Sequence, residues 1–444
     1  MKNRTLIYSV LFCFFLALFN CTNDDTPAPN LFEGIIESTI TYGGTKNESA
    51  QAVTKTTDGG FAVLGYTQSM NGDVTDKQNE SFDYWLLKFD SENNLQWSKT
   101  YGGSNDDRGN DIIQTTDGGY AIIGYSSSID QDVTENQGTR DYWLLKLDSS
   151  GNISWQKSYG YSGVDVGHNV IQTNEGGFFI TGVLDVTASA GEGNTSRTTS
   201  RHAGGDYWAL KLDASGTIEW SRYYGGGFTD TPFDAIQTND GYIIIGSSDS
   251  NDVDISNNKG TYDFWVVKVS NSGNLIWEKS FGGDEIDEAR AIAATDDGNF
   301  IIAGDTRSNT IDVSQNNGAA DLWLIKLAPN GDLLWEKTYG GSNFDVARSI
   351  EKTDDNGFLI SGSTRSSDGD VTTNKGQNDA WVLKTDPNGN IQWQKTIGGS
   401  DIDFAFDATE LNDKTVILVG ESNSNNIDIP TNQGFTDLLI TKIK

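Results

Sequence analysis

Short apolar runs recur along the chain in a fixed order, broken by Gly, Asn and Asp. Residues 95–148 show the unit. "LQWSKTY" alternates apolar and polar positions, as a half-exposed strand does. "NDIIQTT" follows after the loop "GGSNDDRG". A "DGG" turn then leads to "YAIIGYS", apolar on both faces and so a buried strand. The polar loop "SSIDQDVTENQGTR" runs into "DYWLLKLD", and "SSGN" turns the chain into the next "ISWQKSY". No stretch carries a sustained helical period.

The unit is a repeat, and repeats decide architecture before anything else. All 12 tryptophans fall in pairs: Trp85/Trp97, Trp143/Trp155, Trp208/Trp220, Trp265/Trp277, Trp323/Trp335 and Trp381/Trp393. Tyr-Gly-Gly or a variant begins at Tyr42, Tyr101, Tyr159, Tyr224, Phe281, Tyr339 and Ile397, which makes seven copies. Four short antiparallel strands per copy predict an all-β, seven-bladed β-propeller over 33–444. The last copy stops at "TDLLITKIK", while 34–44, "GIIESTITYGG", has no preceding "DYWLLKLD". Pairing strand 34–42 with strand 437–444 completes the seventh sheet and removes two exposed edges. Ser38 and Leu439 stand where this joint's tryptophans would be, as expected if the two rings of a pair pack across one hairpin.

The stretch "LDSSGNISW" (147–155) resembles the Trp docking element of quinoprotein-type propellers, and the whole repeat resembles those of Bacteroidetes secreted proteins and lipoproteins. The resemblance implies that "NDIIQTT" lines the central channel and "ISWQKSY" is outermost. It brings no cofactor motif, so no cofactor is expected. The bulb-lectin sugar motif and the sialidase Asp box are absent. Propellers host many activities, so fold alone does not give function.

Composition adds compartment and partner class. Lys2 and Arg4 precede an apolar run, Leu6 to Phe19, too short for a membrane span and read as a signal peptide over 1–20. "LFNC" resembles a bacterial lipoprotein signal, which implies Cys21 as the lipid attachment site. In Bacteroidetes lipoproteins, acids after that cysteine accompany export to the surface, and Asp24 and Asp25 follow here. Residues 21–32 read as a tether. A lipid-anchored monomer at the outer membrane or cell surface is expected, touching membrane only through the anchor. Net charge is −32, which argues against nucleic acid as a partner.

Candidate chemistry lies in the loops. Six residues after each Tyr-Gly-Gly start stands an acid: Glu48, Asp107, Asp165, Asp230, Asp287, Asp345 and Asp403. They are expected to ring one mouth of the channel, on the face shared by the long loops. The long loops repeat Asp, Asn and Asp, complete at Asp132/Asn136/Asp141 and Asp370/Asn374/Asp379. These are candidate Ca²⁺ oxygens, although turn chemistry explains the same residues. The third blade inserts 187–205, with Arg197, Arg201 and His202 as a candidate specificity loop. No nucleophile motif, phosphate loop or zinc spacing is present. The leading expectation is a non-enzymatic binding or scaffold propeller for a protein or glycan partner, with a carbohydrate-active hydrolase or lyase as the alternative.

Overall fold

The computed structural model describes residues 34–194 and 202–444. The expected signal segment (1–20) and tether (21–32), with Cys21, lie outside the described residues. Those described form 28 strands in seven antiparallel sheets of four. The inner strands are Glu48–Lys55, Asp107–Gln114, Val166–Gln172, Asp230–Thr238, Asp287–Ala294, Asp345–Lys352 and Asp403–Glu410. Each packs against the inner strand of the blade on either side, so the ring is closed.

The seventh sheet is the expected latch. Ile36–Tyr42 pairs with Asp437–Ile443, with Thr39 opposite Thr441 and Ile40 opposite Ile440. Lys444 and Ile35 exchange backbone hydrogen bonds at 2.7 and 2.8 Å. Glu37 adds ion pairs to Lys442 and Lys444.

The tryptophan pairs do not pack across one hairpin. Trp85 stands opposite Thr100, and Trp97 stands opposite Lys88. That offset is odd, so alternation along the strand sends the two rings to opposite faces. Trp85 is buried with Leu438 and Ile440 of the preceding blade. Trp97 reaches the following blade, where a Cβ on Gly151 would lie 2.9 Å from its ring. Tyr101 Oη donates to Gly151 O at 2.7 Å beside it. Trp155 with Gly216, and Trp220 with Gly273, repeat the arrangement. At the latch Ser38 leaves no ring to accommodate, and the turn of the first blade carries Asn93 where the other turns carry glycine.

Both Gly151 (φ 73°) and Asn93 (φ 69°) are left-handed, so the two positions separate backbone from packing demands. Gly151→Ala is expected to lose about 1–3 kcal/mol through strain and displacement of Trp97. Asn93→Gly is expected to stay within about 0.5 kcal/mol. Urea unfolding of the two variants checks this; equal losses would contradict the docking account.

Candidate functional site

The seven repeated acids all stand at the start of inner strands and are buried. Each accepts a hydrogen bond from its own turn: Gly103 N–H donates to Asp107 at 2.7 Å, and Gly44 N–H to Glu48 at 2.9 Å. Tyr161 N–H donates to Asp165 at 2.8 Å. Gly226, Gly283, Gly341 and Gly399 donate to Asp230, Asp287, Asp345 and Asp403, each at 2.7 Å. Hydroxyls complete most of these shells, as Ser308 does for Asp287 and Ser366 for Asp345. These carboxylates therefore lock the turn beneath the loop face.

A second buried acid lies beside each of them, at the start of the third strand of the preceding blade. A Cβ on Gly282 would sit 2.4 Å from Asp263 Oδ1 and 2.5 Å from Asp287 Oδ2. The acids Asp141 and Asp379, singled out in the long loops, occupy this position. Asp141 accepts from Gln137 N–H at 2.6 Å, and Asp379 from Lys375 N–H at 2.8 Å. Asn136 Nδ2 donates to Ser126 O and Asn374 Nδ2 to Thr364 O. Asp132 and Asp370 accept from Gly102 and Gly340 N–H. Among the described residues, no group of three or more His, Cys, Asp or Glu side chains is placed to hold a metal ion.

Of the third-blade insertion, Arg197 and Arg201 lie outside the described residues. His202 is buried, its Nδ1 2.5 Å from Asp206 Oδ2, with the Tyr223 ring edge-on at 5.0 Å. It fills the place held by Lys259 and Lys375 in later blades, four residues before the third strand's acid.

A different constellation lines the channel, and sequence reading passed over it. Every inner strand shifts register at the residue three beyond its repeated acid. A bulge of this kind re-aims a side chain. The bulged residues are Gln51, Asn110, His168, Phe233, Arg290, Arg348 and Phe406, and all seven line one cavity of about 420 Å³. Tyr66, Arg108, Tyr125, Arg140 and Val166 complete its wall on the long-loop face.

Cations and rings alternate in that wall. The Arg108 guanidinium lies 3.9 Å from the Phe82 ring centre and 4.9 Å from that of Tyr66. Arg140 lies 4.5 Å from Tyr125, and Arg290 4.3 Å from Phe233. Arg290 Nη2 donates to Glu288 at 2.8 Å. The Nε atoms of Arg108, Arg290 and Arg348 are buried without an acceptor. Burial and the neighbouring Arg290 charge push the Arg348 pKa below its ordinary value. His168 stacks on Phe233 at 5.4 Å and bonds Pro232 O through Nδ1 at 2.6 Å. Burial, and secondarily the Arg290 charge, lower its pKa and favour neutral imidazole.

One residue beyond the bulge, three aspartates tie blades together. Asp111 accepts from Ile112 and Val170 N–H, at 2.7 and 2.8 Å. Asp234 accepts from Ala235 and Ile292, and Asp407 from Ala408 and Val53. Each carboxylate thus holds one N–H of its own blade and one of the next. Burial raises these groups to about 6, 7 and 7.

No family model matches the chain, and no curated protein matches it. Among solved structures it is similar to Sqt1 from Chaetomium thermophilum, at 9% identity and TM-score 0.46, covering 93% of this chain and 100% of that one. Drosophila Plexin A, solved in complex with Semaphorin 1b, aligns at 8% identity and TM-score 0.44, covering 92% and 87%. A member of the DUF4221 family from Bacteroides vulgatus aligns at 10% and 0.35, covering 94% and 98%. Likeness at this level does not extend to function.

The junction acids give a pH dependence with a defined sign. Burial first, and neighbouring acids after it, raise Asp165, Asp230 and Asp263 to about 7, and Asp321 and Asp437 to about 6. The folded state therefore holds protons that the unfolded chain, titrating near ~3.9, releases. Their stabilisation is complete below about pH 4 and is lost as pH rises through about 6–7. The urea midpoint is expected to fall between pH 5 and pH 8, and Asp263→Asn to flatten that fall. A midpoint that rises over this range would contradict the assignment.

Proposed function

We propose that this chain is a non-catalytic binding propeller, lipid-anchored through Cys21 at the outer membrane or cell surface, whose ligand site is the axial cavity. Its ligand is an acidic group presented by a glycan or protein. The observation carrying this reading is the set of seven bulged side chains. These positions share one place in the repeat yet hold five residue types, with Arg290 and Arg348 adjacent in the ring. In a chain of net charge −32, Arg108, Arg140, Arg290 and Arg348 gather in this one wall. Although Glu288 pairs with Arg290 and Asp305 lies near Arg290 and Arg348, the cluster offers an anion a local cationic site. A buried cation gains more from a counter-ion than an exposed one, because water screens it less.

The test is isothermal titration of acidic glycans and acidic peptides against the wild type and the Arg290→Ala/Arg348→Ala double variant. A charged hydrogen bond contributes about 1.5–3 kcal/mol, so the variant is expected to bind at least about tenfold more weakly while still unfolding in a single cooperative transition. Equal affinity in both proteins would overturn the reading. For the anchor, Cys21→Ser is expected to move the chain from the membrane fraction to the soluble one; retention in the membrane would contradict it.

A further inference from the structure

The order of chemistry around the cavity narrows the ligand, given that the axial site is the binding site. Arg290 and Arg348 come from neighbouring blades, with Phe233 before them and Phe406 after them in the ring. The remaining arc is Gln51, Asn110 and His168, all neutral. Each of these three uses a donor on the protein. Asn110 Nδ2 donates to Gly167 O at 2.8 Å, and Gln51 Nε2 to Ser49 Oγ at 2.7 Å. His168 engages Pro232 O through Nδ1. What they hold in reserve is three acceptors, Oδ1, Oε1 and Nε2, and the second N–H of Asn110.

We propose that the cavity binds a uronic acid, the carboxylated pyranose unit of an acidic glycan. A carboxylate is planar and matches the guanidinium fork, so it meets the guanidinium groups of Arg290 and Arg348 that line the cavity. Ring hydroxyls donate to the three acceptors on the opposite arc. The apolar C–H faces of the sugar lie against Phe233 and Phe406. Acidic side chains satisfy the arginines but bring no hydroxyl donors, and inorganic phosphate brings P–OH groups but no apolar C–H face for Phe233 and Phe406, so each leaves part of the wall unpaired. Loss of such pairing discriminates strongly in a buried site. A volume of about 420 Å³ lies in the lower part of the ~300–1,000 Å³ range of small-molecule sites, which suits a short oligosaccharide segment.

The experiment titrates the purified full chain with tri-galacturonate and tri-glucuronate. Controls are the neutral trisaccharides of the same linkage, inorganic phosphate and tri-glutamate. Saturable binding of a uronate at least about 100-fold tighter than its neutral analogue, phosphate and tri-glutamate supports the proposal. Asn110→Leu is expected to weaken uronate about tenfold or more, with a lower thermal midpoint from the lost hydrogen bond to Gly167 but a folded ring that still binds the anion through its arginines. Equal binding of tri-glutamate or phosphate would overturn the uronate assignment and leave the anion site standing. Absence of saturable binding by every anion would overturn both. An Asn110→Leu variant with wild-type uronate affinity would remove the hydroxyl-reading arc.

Discussion

The ring depends on the junction between one blade and the next, where an outer-strand aromatic pair closes over a glycine turn. Trp97 and Tyr101 cover Gly151 from above and from the side. At the loop face, a buried acid accepts from the N–H of each such turn, beside the acid that starts the neighbouring third strand. These contacts account for most of what the repeat keeps constant. Indole, phenol, glycine and carboxylate cannot be exchanged singly without leaving a cavity or an unpaired polar group. The latch is the exception that fits the rule, because the missing tryptophan at Ser38 coincides with the missing glycine at Asn93.

Freedom appears where the junction makes no demand. The bulge lifts one residue per blade out of the ladder and turns it toward the channel, so its identity is not constrained by sheet packing. Asp111, Asp234 and Asp407 hold neighbouring backbones together just beyond it. The scaffold is thereby rigid at the point where it presents variable side chains, which is the arrangement a specific site needs. Arg108, Arg140, Arg290 and Arg348 gather in this wall, and Arg307 and Arg365 lean on Phe344 nearby.

Tryptophan spacing, the Tyr-Gly-Gly marks and the truncated "TDLLITKIK" made blade number and closure legible, because a closed ring demands an integral repeat. The site was harder to read because it breaks the period-two pattern. Placing the inner strand at "NDIIQTT" starts it at the bulge, leaving Arg108 in the preceding loop and hiding that Arg290 and Arg348 share a position with Asn110. The seven equally spaced acids drew attention instead, yet their spacing reflects a turn that each blade must make. A column of repeats aligned on those acids shows the signal three residues later, where Gln, Asn, His, Phe and Arg alternate. The handedness of the tryptophan pairs also escaped, since spacing alone does not tell which face each ring takes.

The central claim is that one asymmetric cationic site occupies the axis of a sevenfold scaffold. X-ray diffraction from crystals soaked in bromide, with anomalous maps, tests it most directly. The strongest bromide peak is predicted in the axial cavity within reach of Arg290 and Arg348. A cavity without anomalous density, with bromide confined to the outer loops and surface lysines, would contradict the account.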